Sequence, residues 1–433
     1  MIEKNNKKTI RSWAFFDWAN SAYNLVITST IFPAYYTIIT TTEAHGDRVS
    51  FFGKTFVNTA LSNYALAFAY LVMVLVLPVI SSIADRRGNK KTFMKFFTYA
   101  GGLACIGLYF FKLDTLELGI IFFVLAAMGY IGGVLFSNSY LPEIATEEQQ
   151  DKVSAQGFSY GYIGSVLLQL VCFVFVLNDQ WFVDKSFPPR LSFLLVGVWW
   201  ILFSQIPFKV LPNGSPQVGK LKTNIIKDGF SELSKVWNQL KEMKILKGFL
   251  ISFFFYSMGV QTIMLAAAGF AEKTLKLGTA KLIAIILIIQ LVAIPGAMLM
   301  SFLSRKLGNI NVLIGVVFIW ILACIFGYFI TNEFQFYGLA AIVGLIMGGI
   351  QSLSRSTYSK FLPENTPDTT SFFSFYDVTE KLAIVIGLFS FAYIEDITGN
   401  IRYSIIALTS FFAVGAIFLI LLRRIQDKTL LKL

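Results

Sequence analysis

The sequence predicts an all-α integral membrane protein with twelve transmembrane helices in two pseudo-symmetric six-helix halves. Three observations predict it: an apolar composition, the spacing of twelve apolar runs, and two internal echoes at nearly one offset.

Of the 433 residues, 56% are hydrophobic and 14% charged. A soluble domain carries about 25% charged residues, and a soluble fold of this size has no room to hide so much apolar surface. A bilayer accepts it directly. Aromatics reach 16%, with 44 Phe, which suits lipid-facing and interfacial positions. A net charge of +11 would suggest nucleic acid in a soluble protein. Here the basic residues fall in short loops between apolar runs, so they mark topology, and no nucleic-acid partner is expected. Cys105, Cys172 and Cys324 each lie inside an apolar run without a CxxC neighbour, so neither a disulfide framework nor a zinc site is indicated. His45, the single histidine, lies in a polar loop, which excludes a metal site built on several histidines. No cofactor is expected.

A span needs roughly 17–25 mostly apolar residues. The runs that qualify are 13–40, 57–83, 92–112, 115–140, 155–178, 190–210, 246–270, 279–304, 310–331, 335–361, 370–395 and 401–423. All are expected to be helices, because open strands in lipid leave backbone groups unsatisfied and barrel-type alternation is absent. The first run follows Lys4, Lys7, Lys8 and Arg11 but is too long for a signal-peptide core, so it is expected to remain as a span.

Lysine and arginine set the orientation. With the N-terminus inside, the inner segments carry 26 of them and the outer loops 9, leaving Lys381 within a span. Both termini are therefore expected in the cytoplasm, with the protein in the cell (inner) membrane.

The longest polar stretch begins Leu211-Pro212-Asn213-Gly214 and continues as a basic segment containing Leu233, Val236, Trp237 and Leu240. It is expected to be a cytoplasmic linker, residues 212–245, with an interfacial helix. The halves are then residues 1–211 and 246–433. They echo each other. Ser81-Ser82-Ile83-Ala84-Asp85-Arg86-Arg87-Gly88-Asn89 follows the second span, and Ser301-Phe302-Leu303-Ser304-Arg305-Lys306-Leu307-Gly308-Asn309 follows the eighth, at an offset of 220. Tyr140-Leu141-Pro142-Glu143 and Phe361-Leu362-Pro363-Glu364 echo at 221. Two independent echoes point to a duplicated six-span unit.

Asp85-Arg86-Arg87-Gly88-Asn89-Lys90-Lys91 resembles the loop between the second and third spans of the major facilitator superfamily: acid, base, any residue, glycine, then bases. The superfamily usually has glycine four residues before the acid, where this chain has Ser81. The resemblance implies that Asp85 holds the two halves together on the cytoplasmic face, that Gly88 allows the tight turn and that Arg86 fixes topology. The plainer reading is a basic loop that only sets orientation. Trp13-Ala14-Phe15-Phe16-Asp17-Trp18-Ala19-Asn20-Ser21-Ala22-Tyr23 with Phe32-Pro33, Tyr256-Ser257-Met258-Gly259-Val260-Gln261-Thr262, and Tyr376-Asp377-Val378-Thr379-Glu380-Lys381 are similar to the vacuole effluxer (autophagy-related permease) family. That family commonly has an acid where this chain has Met258 and a small residue where it has Glu380. Fungal members imply release of amino acids from the vacuole.

Polar residues inside a span are costly and default to a pathway or a packing role. Asp17, Asn20, Ser21, Asn24 and Thr28 recur at spacings of three and four, one polar stripe on the first span. Asp17 sits in its cytoplasmic third, either as cavity lining or as one partner of a gate pair. Asp377 and Lys381, four apart, share a helix face and can pair. Lys381 lies about 16 Å into its span, near the midplane. Glu380 is one more acid than that pair requires, free to bond another helix or to carry a proton. A closed structural charge cluster is the alternative. Tyr160 and Gln169, Tyr256 and Gln261, Gln290, Gln351 and Tyr376 are further cavity candidates, each equally open to a packing role. Arg355, near the cytoplasmic end of the tenth span, is placed to hold a carboxylate.

The expected function is a secondary active or facilitative transporter of small polar metabolites, amino acids among them, in the export direction. A proton is the expected coupling ion, membrane lipids the surroundings, and a monomer the working unit. Mixed charges in the spans suit a zwitterion better than a polyanion. The sequence contains no phosphate-binding loop and no nucleophile motif, so neither a nucleotide-driven pump nor an enzyme is expected. A non-transporting receptor or scaffold, or a handler of lipid-linked cargo, is the rival reading on the same fold.

Overall fold

Every predicted span is helical, because a chain in hydrocarbon must satisfy its backbone groups within the segment. The computed structural model describes residues 3–43, 46–214 and 225–430; His45 and linker residues 215–224 lie outside them. In chain order the helices are α1 (Lys7–Ala22), α2 (Phe32–Thr40), α3 (Asn58–Arg87), α4 (Lys90–Gly107), α5 (Leu116–Asn138), the short α6 (Leu141–Ile144), α7 (Glu147–Val176), α8 (Phe187–Val210), α9 (Ile225–Glu242), α10 (Lys244–Leu275), α11 (Thr279–Leu307), α12 (Asn309–Phe329), α13 (Glu333–Lys360), α14 (Thr369–Thr398) and α15 (Ile401–Leu430).

Ten of the expected spans are long, apolar single helices. The other two depart from that description for physical reasons. The first span is not one regular helix: α1 and α2 are joined by a nine-residue π-helix, Tyr23–Ile31. The hydroxyls of Ser29 and Thr30 bond carbonyls five residues back, on Asn24 and Leu25, at 2.9 and 2.8 Å. These bonds satisfy the widened turn, a geometry common where helices serve function. The eleventh segment, α14, carries Asp377, Glu380 and Lys381 in its middle.

The loop after α2 is not irregular throughout. It holds an antiparallel hairpin, β1 (Arg48–Phe51) and β2 (Lys54–Val57), with Arg48 opposite Val57. The echoed glycines end their helices alike. Gly88 closes α3 at φ +64° and Gly308 closes α11 at φ +81°, backbone that favours a residue without Cβ.

The buried apolar residues form two clusters. One joins the C half to the part of the N half that lies near Asp85, through Trp13, Leu77, Phe136, Tyr140, Phe253 and Tyr358. The second, around Tyr23, Phe32, Phe111 and Trp200, lies almost wholly within the other end of the N half. The halves are therefore packed together at the end rich in lysine and arginine, here the basic end.

The linker helix does more than lie at an interface. In α9, Val236 and Leu240 are buried, Trp237 packs at a tilt against Phe375 of α14 with ring centres 5.5 Å apart, and Lys235 pairs with Asp368 at 3.1 Å. The helix packs on α3 of one half and α14 of the other, across the mouth between them.

Candidate functional site

At the basic end, three clusters join the halves. Arg355 on α13 is the centre of the first. It bonds Asp17 Oδ2 on α1 at 3.1 Å, Asn138 Oδ1 at the end of α5 at 3.1 Å, and the hydroxyl and carbonyl of Ser154 on α7 at 3.0 and 2.9 Å. Its guanidinium also lies 4.8 Å from the Trp13 ring and 4.3 Å from the Phe158 ring. Arg355 is 3% exposed and Asp17 9%, so water does not screen the pair. Gly157 of α7 makes the approach possible: a Cβ there would lie 2.5 Å from Asp17 Oδ2.

Asp85 is the second. From the end of α3 it crosses to the start of α14, accepting from the Thr370 amide at 3.2 Å, the Ser371 amide at 2.6 Å and the Ser371 hydroxyl at 2.7 Å. Amides in the first turn of a helix have no intrahelical partner and point their positive ends outward. An acid from one half thus caps a helix of the other. Arg86, beside it, is half-buried.

The third cluster was not legible beforehand. Asp151, near the start of α7 and 1% exposed, accepts from Ser304 at 2.8 Å, Asn309 at 2.8 Å and Lys360 at 2.7 Å. All three donors belong to the C half. A lone acid at a helix start carries no signal of its own. The only clue was the echo of Asn89 at Asn309.

Nearer the middle, Tyr162 of α7 donates to Gln351 of α13 at 2.7 Å. Tyr256 bonds Ser354 at 2.7 Å, and Tyr376 stacks on Phe253 at 4.3 Å. On α14, Glu380 accepts from Gln261 of α10 at 2.9 Å and from Lys381 at 2.5 Å. Lys381 lies 6.0 Å from the ring of Tyr70 on α3, so this cluster faces the N half. Tyr70 and, on α5, Tyr130 against Tyr23 add aromatic walls that the sequence did not single out.

The expected Asp377–Lys381 pair does not form. A spacing of four allows it, but the longer Glu380 side chain reaches both Gln261 and Lys381. Asp377 is 1% exposed, and neither carboxyl oxygen has a hydrogen-bond partner among the described residues.

The remaining stripe divides. Asn20 is buried, its Oδ1 without a hydrogen-bond partner among the described residues, and Asn24 is half-buried in the π segment. Gln169 is fully buried and accepts from Thr30 at 2.8 Å. Gln290 is half-buried on α11, outside these clusters. Tyr160 sits away from the join: it packs edge-on to Phe15 at 5.4 Å and lies on the α7 face that carries exposed Ile163 and Leu167. Two residues on, Tyr162 is the tyrosine that faces the other half. An apolar pocket inside the C half, between Ile263, Phe270, Trp320, Phe336 and Ile405, offers nothing to polar cargo.

Comparison with known proteins places this architecture. The vacuole effluxer Atg22-like family matches residues 5–429. An uncharacterized MFS-type transporter of Bacillus subtilis, YxiO, is 30% identical over 96% of this chain and 95% of its own. Autophagy-related protein 22 of Kluyveromyces lactis is 27% identical over 84% of this chain and 80% of its own. The crystal structure of the transporter FucP in the outward conformation superposes with a TM-score of 0.67 at 14% identity, covering 96% of this chain and 98% of that one. The chain is a multi-pass membrane transporter, not an enzyme, and it belongs to the Atg22-like vacuole effluxer family of the major facilitator superfamily.

Proposed function

We propose that this protein exports small polar metabolites, amino acids foremost, across the cell membrane by alternating access, with both termini in the cytoplasm. The basic end then faces the cytoplasm, and the three joins at Arg355, Asp85 and Asp151 are its inner gate, here shut. One observation carries this reading. Among the described residues, every hydrogen bond between the halves lies at the basic end or in the middle, the deepest being Tyr162 to Gln351. Polar joins of this kind exchange their partners for water when the halves part, which suits a gate.

The central cluster of Lys381, Glu380 and Gln261 supports a zwitterionic cargo. A carboxylate and an ammonium each find an opposite charge there. The family's description as vacuole effluxers agrees with export but leaves the cargo open. A receptor or scaffold on the same fold has no need of paired charges at both gate and centre.

Counterflow in proteoliposomes tests the reading. Vesicles loaded with unlabelled amino acids take up a matching labelled pool at equal pH above the level of empty vesicles. No uptake by folded, inserted protein overturns the amino-acid assignment.

A further inference from the structure

We propose that Asp377 is the proton-carrying group of this chain, an assignment that rests on the transporter reading above. The other deeply buried acids are all satisfied. Asp17 holds Arg355, Asp85 caps α14, Asp151 takes three donors and Asp368 pairs with Lys235. Asp377 is the exception, with both oxygens unpartnered in a site 1% exposed. An ionised carboxylate without a partner is very costly in such a place, and a carboxyl that keeps its proton costs much less. Among the described residues no three of His, Cys, Asp and Glu stand close enough to hold a metal ion.

The surroundings supply the exchange. The charged groups around Asp377 are Lys381 and Glu380 on its own helix and Arg355 on α13. Tyr376 and, on α13, Tyr358 are the titratable neighbours next to it. Tyr256 on α10, Tyr70 on α3 and Tyr130 on α5 line the walls around Glu380 and Lys381. Arg355 is committed to Asp17 and Lys381 to Glu380 while the basic end is shut. Lys381 lies four residues from Asp377, one helical turn along the same face.

In the state seen, Asp377 holds its proton and Glu380 neutralises Lys381. When the joins part, Lys381 passes from Glu380 to Asp377. The O–H bond of Asp377 breaks, its electron pair stays on the carboxylate, and the proton goes to water in the opened cavity. Glu380 keeps Gln261 as its donor. The reverse exchange reloads Asp377.

Infrared difference spectroscopy on the full chain in proteoliposomes tests this without any cargo. The protonated-carboxyl region at neutral pH is compared among wild type, Asp377→Asn, Glu380→Gln and Asp377→Glu. The expected result is a component present in wild type, weakened in Glu380→Gln, where Lys381 is released to Asp377, lost in Asp377→Asn and shifted in Asp377→Glu. Identical wild-type and Asp377→Asn spectra overturn the proposal, as does a component lost only in Glu380→Gln. Should Asp377→Asn fail to fold, an Asp377→Glu spectrum that coincides with wild type overturns it equally. Failure of amino-acid counterflow leaves this result standing, so the two readings fail separately.

Discussion

Asp151 on α7 accepts a 2.8 Å hydrogen bond from Ser304 on α11, and the repeat offset of 220 places Asp151 opposite Ser371. The two outer joins therefore use one chemistry with acid and hydroxyl exchanged. On one side the acid ends α3 and the serine starts α14; on the other the acid starts α7 and the serine ends α11. Hydrogen bonds to a charged group contribute about 1.5–3 kcal/mol each. Asp85→Asn and Asp151→Asn should each speed maleimide labelling of a Ser352→Cys probe about tenfold or more, since 1.4 kcal/mol is a factor of ten. The probe is placed in a chain lacking Cys105, Cys172 and Cys324. Unchanged labelling in either variant would remove that acid from the gate.

Gly157 tests the Arg355 join by shape alone. A Cβ there meets Asp17 at 2.5 Å and Arg355 at 2.8 Å. Gly157→Val should destabilise the shut state by about 1–3 kcal/mol, the usual cost of overpacking. Gly315→Ala on α12 has open space around it and serves as control. Thermal unfolding and the Ser352→Cys labelling rate should move for the first and stay for the second.

The central cluster predicts a split between stability and transport. Glu380→Gln leaves Lys381 buried without its carboxylate, a loss of about 3–5 kcal/mol. Adding Lys381→Gln should recover most of the thermal stability while counterflow stays absent. Counterflow restored by the double variant would show that the pair is structural.

The helical spans and the place of Asp85 were legible because each leaves a local trace: an apolar run, and an acid four residues before the echoed Asn89. Arg355 and Asp17 were legible as single costly charges, not as partners, since they lie 338 residues apart in sequence. The Asp377–Lys381 spacing was compatible with a pair, yet tertiary contact with Gln261 decided for Glu380. Asp151, Tyr70 and the π segment left no local trace at all. Their roles exist only once α7, α3 and α1 have packed.

The linker helix gives a prediction on dynamics. Leu240 is 4% exposed, and truncating a buried leucine to alanine costs about 2–5 kcal/mol. Leu240 shares the docking of α9 with Val236, Trp237 and Lys235, so Leu240→Ala should loosen the helix. Trypsin should then cut after Lys235 and Lys241 several-fold faster, while unfolding of the helical bundle barely shifts. Equal cutting rates would mean that α9 is held by something other than this contact.

Alternating access through the Arg355–Asp17 gate is tested most directly by two spin-label distances in the same proteoliposomes. One pair, Lys152→Cys with Lys306→Cys, spans the basic end; the other, Lys185→Cys with Phe334→Cys, spans the opposite end. All four positions are exposed. On introducing Asp17→Asn, the basic-end distance should lengthen as the opposite-end distance shortens. A basic-end distance that stays as in the wild type, with the opposite end also unmoved, would contradict a gate at this pair.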